Sequence, residues 1–234
     1  MNRPKDPLLH FHTQYGINQS LISDIIIGAK YCAVMLTNGN IGVCATLDTH
    51  ITHDNYSLSE PRFLWLPDRI VLTAYFNALL NYEAEFDQND IFSQIDFSSY
   101  KLIVMNGYFG TVVEKFRNAK IPLAIFDLFN TSDEVTPLKQ QPEYLSKAEA
   151  IITTSTAIFN RTFMHLMKHA NPAADIFMLG PSTPLSKQMF EMANIKFLFG
   201  TLYEKNDRRV LDLIQNGAGY KEYSHLGKKV FIQK

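Results

Sequence analysis

Five short stretches of this 234-residue chain concentrate the residue types that grip small ligands: NGYFG (106–110), DLFN (127–130), TTST (153–156), GPSTP (180–184) and GTLY (200–203). Glycine lets a ligand approach the backbone, and a hydroxyl ahead of a helix either caps free N–H groups or shares them with an anion. Gly107-x-x-Gly110 is half of a dinucleotide fingerprint, because Met105 stands where the earlier glycine belongs. Asp127, the one carboxylate in the five stretches, lies 20 residues past Gly107, the spacing of a ribose-binding acid. Thr154, Ser155 and Thr156 precede a helical pattern and suit capping or anion binding. In GPSTP, Gly180 allows close approach, Pro181 and Pro184 restrict φ, and Ser182 or Thr183 can cap a following helix that Pro184 would open. A turn that only reversed direction would not need all of these, so ligand contact is expected there first.

Metal chemistry has one sequence-local candidate. Asp48, His50, His53 and Asp54 form an oxygen-and-nitrogen set in LDTHITHDN, a stretch that also reads as a solvated polar loop. His165 and His169 are spaced i, i+4, but Phe159, Phe163, Leu166, Met167 and Ala170 define the apolar face of that helix and turn both histidines away from it. Cys32 and Cys44 lack CxxC spacing. They flank an Asn38-Gly39 turn, and with a two- or three-residue loop neither register puts them opposite, so reduced thiols are expected. The chain has no G-x-S-x-G elbow, P-loop or H-E-x-x-H.

These stretches need elements to hold them. KLIVMN, IPLAIFDL, EAIITT, DIFMLG and IKFLFG are short apolar runs, each followed by a turn and a helical pattern. That alternation implies an α/β Rossmann-like, doubly wound, mostly parallel sheet, in which ligands bind outside the carboxyl ends of the strands. The region before EAEFDQND reads differently. An opening helical segment leads to ISDIIIG, a Tyr31–Leu47 hairpin, a long loop, and a helix with Pro67 near its start and Val71, Leu72, Tyr75, Leu79 and Tyr82 at three- and four-residue spacings. This is an α+β N-terminal domain of antiparallel strands then helix. The boundary is placed between residues 83 and 91, giving domains 1–86 and 87–234.

Composition narrows the partners. The chain is 46% hydrophobic and 19% charged with a net charge of −1 and no Lys/Arg run, so nucleic acid and anionic membrane are set aside. No apolar window reaches a membrane span and MNRPKDPLLHFH lacks an apolar leader core, so a cytoplasmic location is expected.

In the same order, IIIGAKYCAVMLTNGNIGVCATL, LIVMNGYFGTVVEKF, AIITTSTAIFNRTF, MLGPSTPLSKQMF and FLFGTLYEKNDRRVLDLIQNGAG resemble segments of the prokaryotic putative heavy-metal chelation family. The resemblance runs from about residue 20 to 230, with GPSTPL its most specific piece. It implies an enolase-N-terminal-like domain joined to a Rossmann-like domain, a site where the two meet, and a role in handling a metal ion or metal chelate. Carried over by position, it marks Gly107, Tyr108, Phe109, Ser155, Thr156, Asn160, Thr162, Gly180 to Leu185, Gly200 and Thr201. Two positions depart from the family: Gly110 replaces the usual proline, and Arg161 the usual glycine, which suggests a more anionic ligand. The leading expectation is a small anionic or metal-chelating ligand, or a metal complex, bound between the domains. The rivals are a nucleotide- or S-adenosylmethionine-dependent enzyme using Gly107 and Asp127, and a regulatory or assembly protein using the Rossmann-like domain as scaffold. Assembly is left open, a homo-oligomer included.

Overall fold

The computed structural model describes residues 5–83, 86–88 and 91–234. The first part opens with α1 (Pro7–Tyr15), capped by Asp6, whose carboxylate accepts from the Leu8 N–H at 3.0 Å. Strands β1 (Ile22–Ile27), β2 (Tyr31–Leu36) and β3 (Ile41–Ala45) form an antiparallel sheet in the order β1-β2-β3, and α2 (Leu66–Leu80) lies across it. Gly42 makes that approach possible, since a Cβ there would collide with Ala74 O and Ala78 N of the helix. The hairpin register corrects the expectation for the cysteines. Leu36 N–H donates to Asn40 O, leaving Thr37, Asn38 and Gly39 as the loop, and Cys32 stands directly opposite Cys44. Both thiols are free and buried, and burial pushes Cys32 up to about 12 and Cys44 well above its usual value.

The second part follows through α3 (Ile91–Gln94), β4 (Ile103–Asn106), α4 (Gly110–Ala119), β5 (Ala124–Phe126), α5 (Gln141–Lys147), β6 (Ala150–Thr154), α6 (Thr156–Phe159), α7 (Thr162–His169), β7 (Asp175–Leu179), β8 (Ile195–Tyr203), α8 (Arg208–Gln215), α9 (Tyr220–Tyr223) and β9 (Gly227–Gln233). Its six-stranded sheet has the order β5-β4-β6-β7-β8-β9, parallel except for the antiparallel edge strand β9. The chain leaves β4 for β5 on one side and returns to β6 on the other, so strand order reverses between β4 and β6. The helix expected after DIFMLG does not form. Residues 180–182 form a turn, 183–186 belong to no regular element, and only a 3-10 turn, Lys187–Glu191, follows, so Pro184 opens no helix. The expected domain boundary falls partly on residues 84–85 and 89–90, outside those described. Asp87 already pairs with Phe231 of β9.

One apolar cluster of the core spans both sheets, joining Val34, Cys44, Ile70 and Phe76 to Val104, Ile151, Met178 and Leu198. α2 is therefore enclosed. From Pro67 to Ala78 every residue is buried, including Asp68, Arg69, Thr73 and Asn77, where the sequence pattern pointed to one apolar face. Buried polar groups need partners, and most of these have them, although Asn77 Oδ1 does not. The Arg69 guanidinium, 1% exposed, spends all five N–H groups on the Asp6 carboxylate and the carbonyls of Phe63, Ile158 and Phe159. Asp68 gathers the preceding loop, accepting from Ser57 N–H at 2.9 Å, Arg62 N–H at 2.7 Å and the Arg62 guanidinium at 2.9 and 2.7 Å. Among the described residues no helix is long and apolar enough to cross a membrane.

Burial by itself would raise the Asp68 carboxyl, but Arg62 and the two backbone N–H groups outweigh it and hold the group below the usual carboxylate range. A depressed folded pKa stabilises above the unfolded value, about 3.9, and that contribution fades as pH falls through the folded pKa. Asp68→Asn should therefore lose about 2 kcal/mol at pH 7, the scale of hydrogen bonds to a charged group, with the deficit shrinking below about pH 4. Urea denaturation at pH 7, 5 and 3 checks this, and an equal deficit at all three would refute it.

Candidate functional site

A cavity of about 400 Å³ opens outside the carboxyl ends of β4, β5 and β6, at the reversal of strand order. Asn106, Gly107, Tyr108 and Phe109 come from the end of β4, and Phe126, Asp127, Leu128 and Phe129 from the end of β5. Thr154, Thr156, Ala157, Asn160, Thr162, His165 and Leu166 come from β6, α6 and α7, with Leu138 and Gln141 beside them. Leu47, just past β3, is the residue of the first part in the lining.

Eight sequence-derived candidates therefore meet here: Gly107, Tyr108, Phe109, Asp127, Thr154, Thr156, Asn160 and Thr162. Gly107 adopts φ +95, and a Cβ there would come within 2.9 Å of the Thr154 side chain, so glycine is needed both for the turn and for the room. Asp127 organises the loop that follows it. One oxygen accepts from Tyr108 N–H at 2.7 Å and the other from Phe129 and Asn130 N–H at 2.8 Å each. The Tyr108 hydroxyl donates to Glu134 at 2.8 Å, and Arg117 pairs with the same carboxylate. That shared carboxylate raises the Tyr108 phenol, while Tyr108 and then Arg117 hold Glu134 below its usual value. Thr154 and Thr156 join their hydroxyls at 3.1 Å, and Asn160 Oδ1 accepts from Thr162 N–H at 3.0 Å and its hydroxyl at 2.7 Å.

Asn106 opens the NGYFG stretch, but the sequence reading assigns it no role of its own. It is 4% exposed, its Oδ1 accepts from Gln141 Nε2 at 2.9 Å, and its Nδ2 has no hydrogen-bond partner. A buried amide with both N–H groups unmet costs on the order of 1–3 kcal/mol unless something accepts from it. The available signal was its position as the last residue of an apolar strand, where a side chain that prefers turns is out of place. His165, turned off the apolar face as expected, lies at the cavity rim; desolvation and then His169 and Lys168 lower its pKa and so disfavour its charged form. Arg161 adopts φ +69 between α6 and α7 and is not a lining residue. A left-handed backbone there accounts for the glycine that the resemblance led one to expect. Gly110 starts α4, the helical position that tolerates proline best.

The other candidates lie elsewhere. Ser182 and Thr183 are buried against the first part of the chain. Ser182 Oγ accepts from Ala45 N–H at 3.0 Å, and Asn77 Nδ2 donates to Ser182 O at 3.0 Å. Asn81 Nδ2 donates to Thr183 O at 3.0 Å and its Oδ1 accepts from Leu185 N–H at 2.7 Å. The Thr183 hydroxyl turns back to Gly180 O at 2.7 Å. GPSTP, with Pro181 and Pro184, is thus a fastening between β3, α2 and the end of β7. Ser155 is buried beside Gly180 with its hydroxyl unpartnered, Gly200 lies under Leu185, and Thr201 shares a hydrogen bond of 2.9 Å with Tyr220. None of these lines the cavity.

The family model DUF364, described as putative heavy-metal chelation, matches residues 90–233. The chain belongs to this family. A second model with the same description, DUF4213, matches residues 12–79, so the two matches lie on either side of the expected domain boundary. A DUF364 protein of unknown function from Pyrococcus horikoshii is similar over 91% of this chain and 93% of its own, at 20% identity and a TM-score of 0.78. Another, from Desulfitobacterium hafniense DCB-2, is similar over 97% and 98%, at 17% identity and a TM-score of 0.73. At such identities the likeness establishes the fold. The chain matches none of the curated proteins.

The DUF364 description raises the question of a bare heavy-metal ion, and the side chains present do not fit one. Soft metals favour thiolates and clustered imidazoles. The two cysteines are buried away from the cavity, and the cavity offers amides, hydroxyls, one histidine and a carboxylate already held by three backbone N–H groups. Among the described residues no three His, Cys, Asp or Glu side chains converge on a metal-holding point, and Asp48, His50, His53 and Asp54 are not drawn together. His53 instead pairs with the Tyr56 hydroxyl at 3.3 Å.

The fastening makes a direct prediction. Ser182→Ala leaves the Ala45 N–H without its acceptor and should cost about 1–3 kcal/mol in a chemical denaturation curve. Wild-type stability in that variant would mean that the Ser182 hydroxyl has another employment.

Proposed function

We propose that this DUF364 protein binds a small organic molecule in the cavity at the carboxyl ends of β4, β5 and β6, and that metal, where it takes part, arrives within a chelate whose organic portion the protein recognises. The observation that carries this reading is the Asn106 side chain, buried at the cavity with an unmet Nδ2 donor. Three further features support it. The cavity occupies the place where open α/β sheets take their ligands, its size is that of a small-molecule pocket, and its lining is mainly apolar with a few convergent polar groups. Chelate recognition accommodates both the family description and a donor set unsuited to a bare soft ion.

The nucleotide reading is weaker than its sequence signal. Asp127, which would serve a ribose, is engaged by three backbone N–H groups and orders the loop over β5 instead. Asn106→Leu keeps the approximate volume and removes the donor. Isothermal calorimetry should find that Ni(II) chloride alone gives no stoichiometric binding to the wild-type protein. Within a panel of Ni(II) complexes of small organic acids, at least one should bind and weaken about tenfold or more in Asn106→Leu. Tight, stoichiometric uptake of the bare ion, undiminished in Asn106→Leu, would sink the proposal.

A further inference from the structure

The cavity combines a buried, unmet donor with exposed apolar side chains, and this combination specifies a class of ligand. At the end of β4 unmet donors stand beside the cavity. Asn106 Nδ2 is unpartnered, and α4 begins at the cavity edge after Phe109 with no side-chain cap on its first N–H groups. Gly110, at the first helical position, retains an N–H that a proline there would lack. α4 has ten residues, long enough for its N-terminus to carry a partial positive charge.

Toward the mouth the lining is Tyr108, Phe109, Leu128, Phe129 and Leu138, and Phe129 is 72% exposed. Large apolar side chains left open beside a cavity are an apolar surface awaiting cover. No Lys or Arg is among the described lining residues, and desolvation, then His169 and Lys168, disfavours the charged form of His165. A phosphate dianion placed against the unmet donors would be desolvated without a cation, which is costly. A carboxylate or carbonyl carries less charge or none, and amide donors can satisfy it.

Resting on the small-molecule reading of this cavity, we infer that its ligand is an aromatic or otherwise flat apolar molecule carrying one carboxylate or carbonyl head. The head accepts from Asn106 Nδ2 and the start of α4, and the flat body lies against Phe129 and Phe109 at the mouth. Phosphate esters, nucleotides included, are selected against. Aromatic carboxylates with a ring nitrogen next to the acid group are themselves bidentate metal chelators, so this class is compatible with a metal carried in by its ligand.

The test uses the full chain and four defined probes: quinoline-2-carboxylate, quinoline, acetate and AMP, each titrated by calorimetry and by ligand-observed NMR. Quinoline-2-carboxylate should bind at least tenfold more tightly than any of the other three. Asn106→Leu should weaken it about tenfold, and Phe129→Ala, at an exposed position that folding does not depend on, should weaken it severalfold. If AMP binds more tightly and still responds to Asn106→Leu, the cavity stands as the site and the ligand class is overturned. If quinoline-2-carboxylate binds equally well in wild type, Asn106→Leu and Phe129→Ala, both the class and its placement are overturned. If it does not bind while a Ni(II) complex from the broader panel does, the class alone is overturned.

Discussion

The rest of the structure depends on the burial of α2. A helix enclosed by a sheet on one side and a second domain on the other cannot leave its polar side chains to water, so each must find a partner within the protein. Arg69, Asn77 and Asn81 find theirs across the boundary, in the carbonyls of Ile158 and Phe159 and the backbone around Ser182 to Leu185. These bonds are directional, and the apolar core that surrounds them is not. The core brings the two sheets together, and the asparagines and the arginine set how they meet.

That constraint reaches the cavity. Arg69 fixes the last carbonyls of α6, and two of the residues that follow, Asn160 and Thr162, line one wall. The opposite wall is organised by Asp127, which ties the start of the Tyr108 turn to the loop after β5. Between them Asn106 ends β4 with its amide half used. The walls are thus held by groups already engaged within the protein, which leaves the few unmet donors in place for a ligand.

Much of this was legible in the chain. Short apolar runs alternating with helical patterns specified a parallel sheet, and the rule that ligands lie beyond the carboxyl ends of such strands selected NGYFG, DLFN and TTST, all of which meet at the cavity. GPSTP was misread as the start of a helix with hydroxyls free for a ligand. Residue type alone does not distinguish a hydroxyl that caps or binds from one that bonds a strand 137 residues away, as Ser182 does with Ala45. The cysteine register failed for a local reason, since a three-residue loop can take its third residue before or after Asn-Gly, and here Thr37 joins it, not Asn40. Asn106 was given no role because a strand-end amide has no distinguishing pattern until its burial and the position of Gln141 are known.

By itself, then, the sequence determined the elements: which runs are strands, where they end, and that glycines and hydroxyls cluster at those ends. Hydrophobic periodicity and turn chemistry are local, so a linear reading reaches them. Only the tertiary structure decided which strand ends share a cavity, which polar groups are consumed in holding two domains together, and which amide is left with a donor to spare. Those are questions of satisfaction and burial. They depend on groups far apart in the chain, and no spacing rule carries that information.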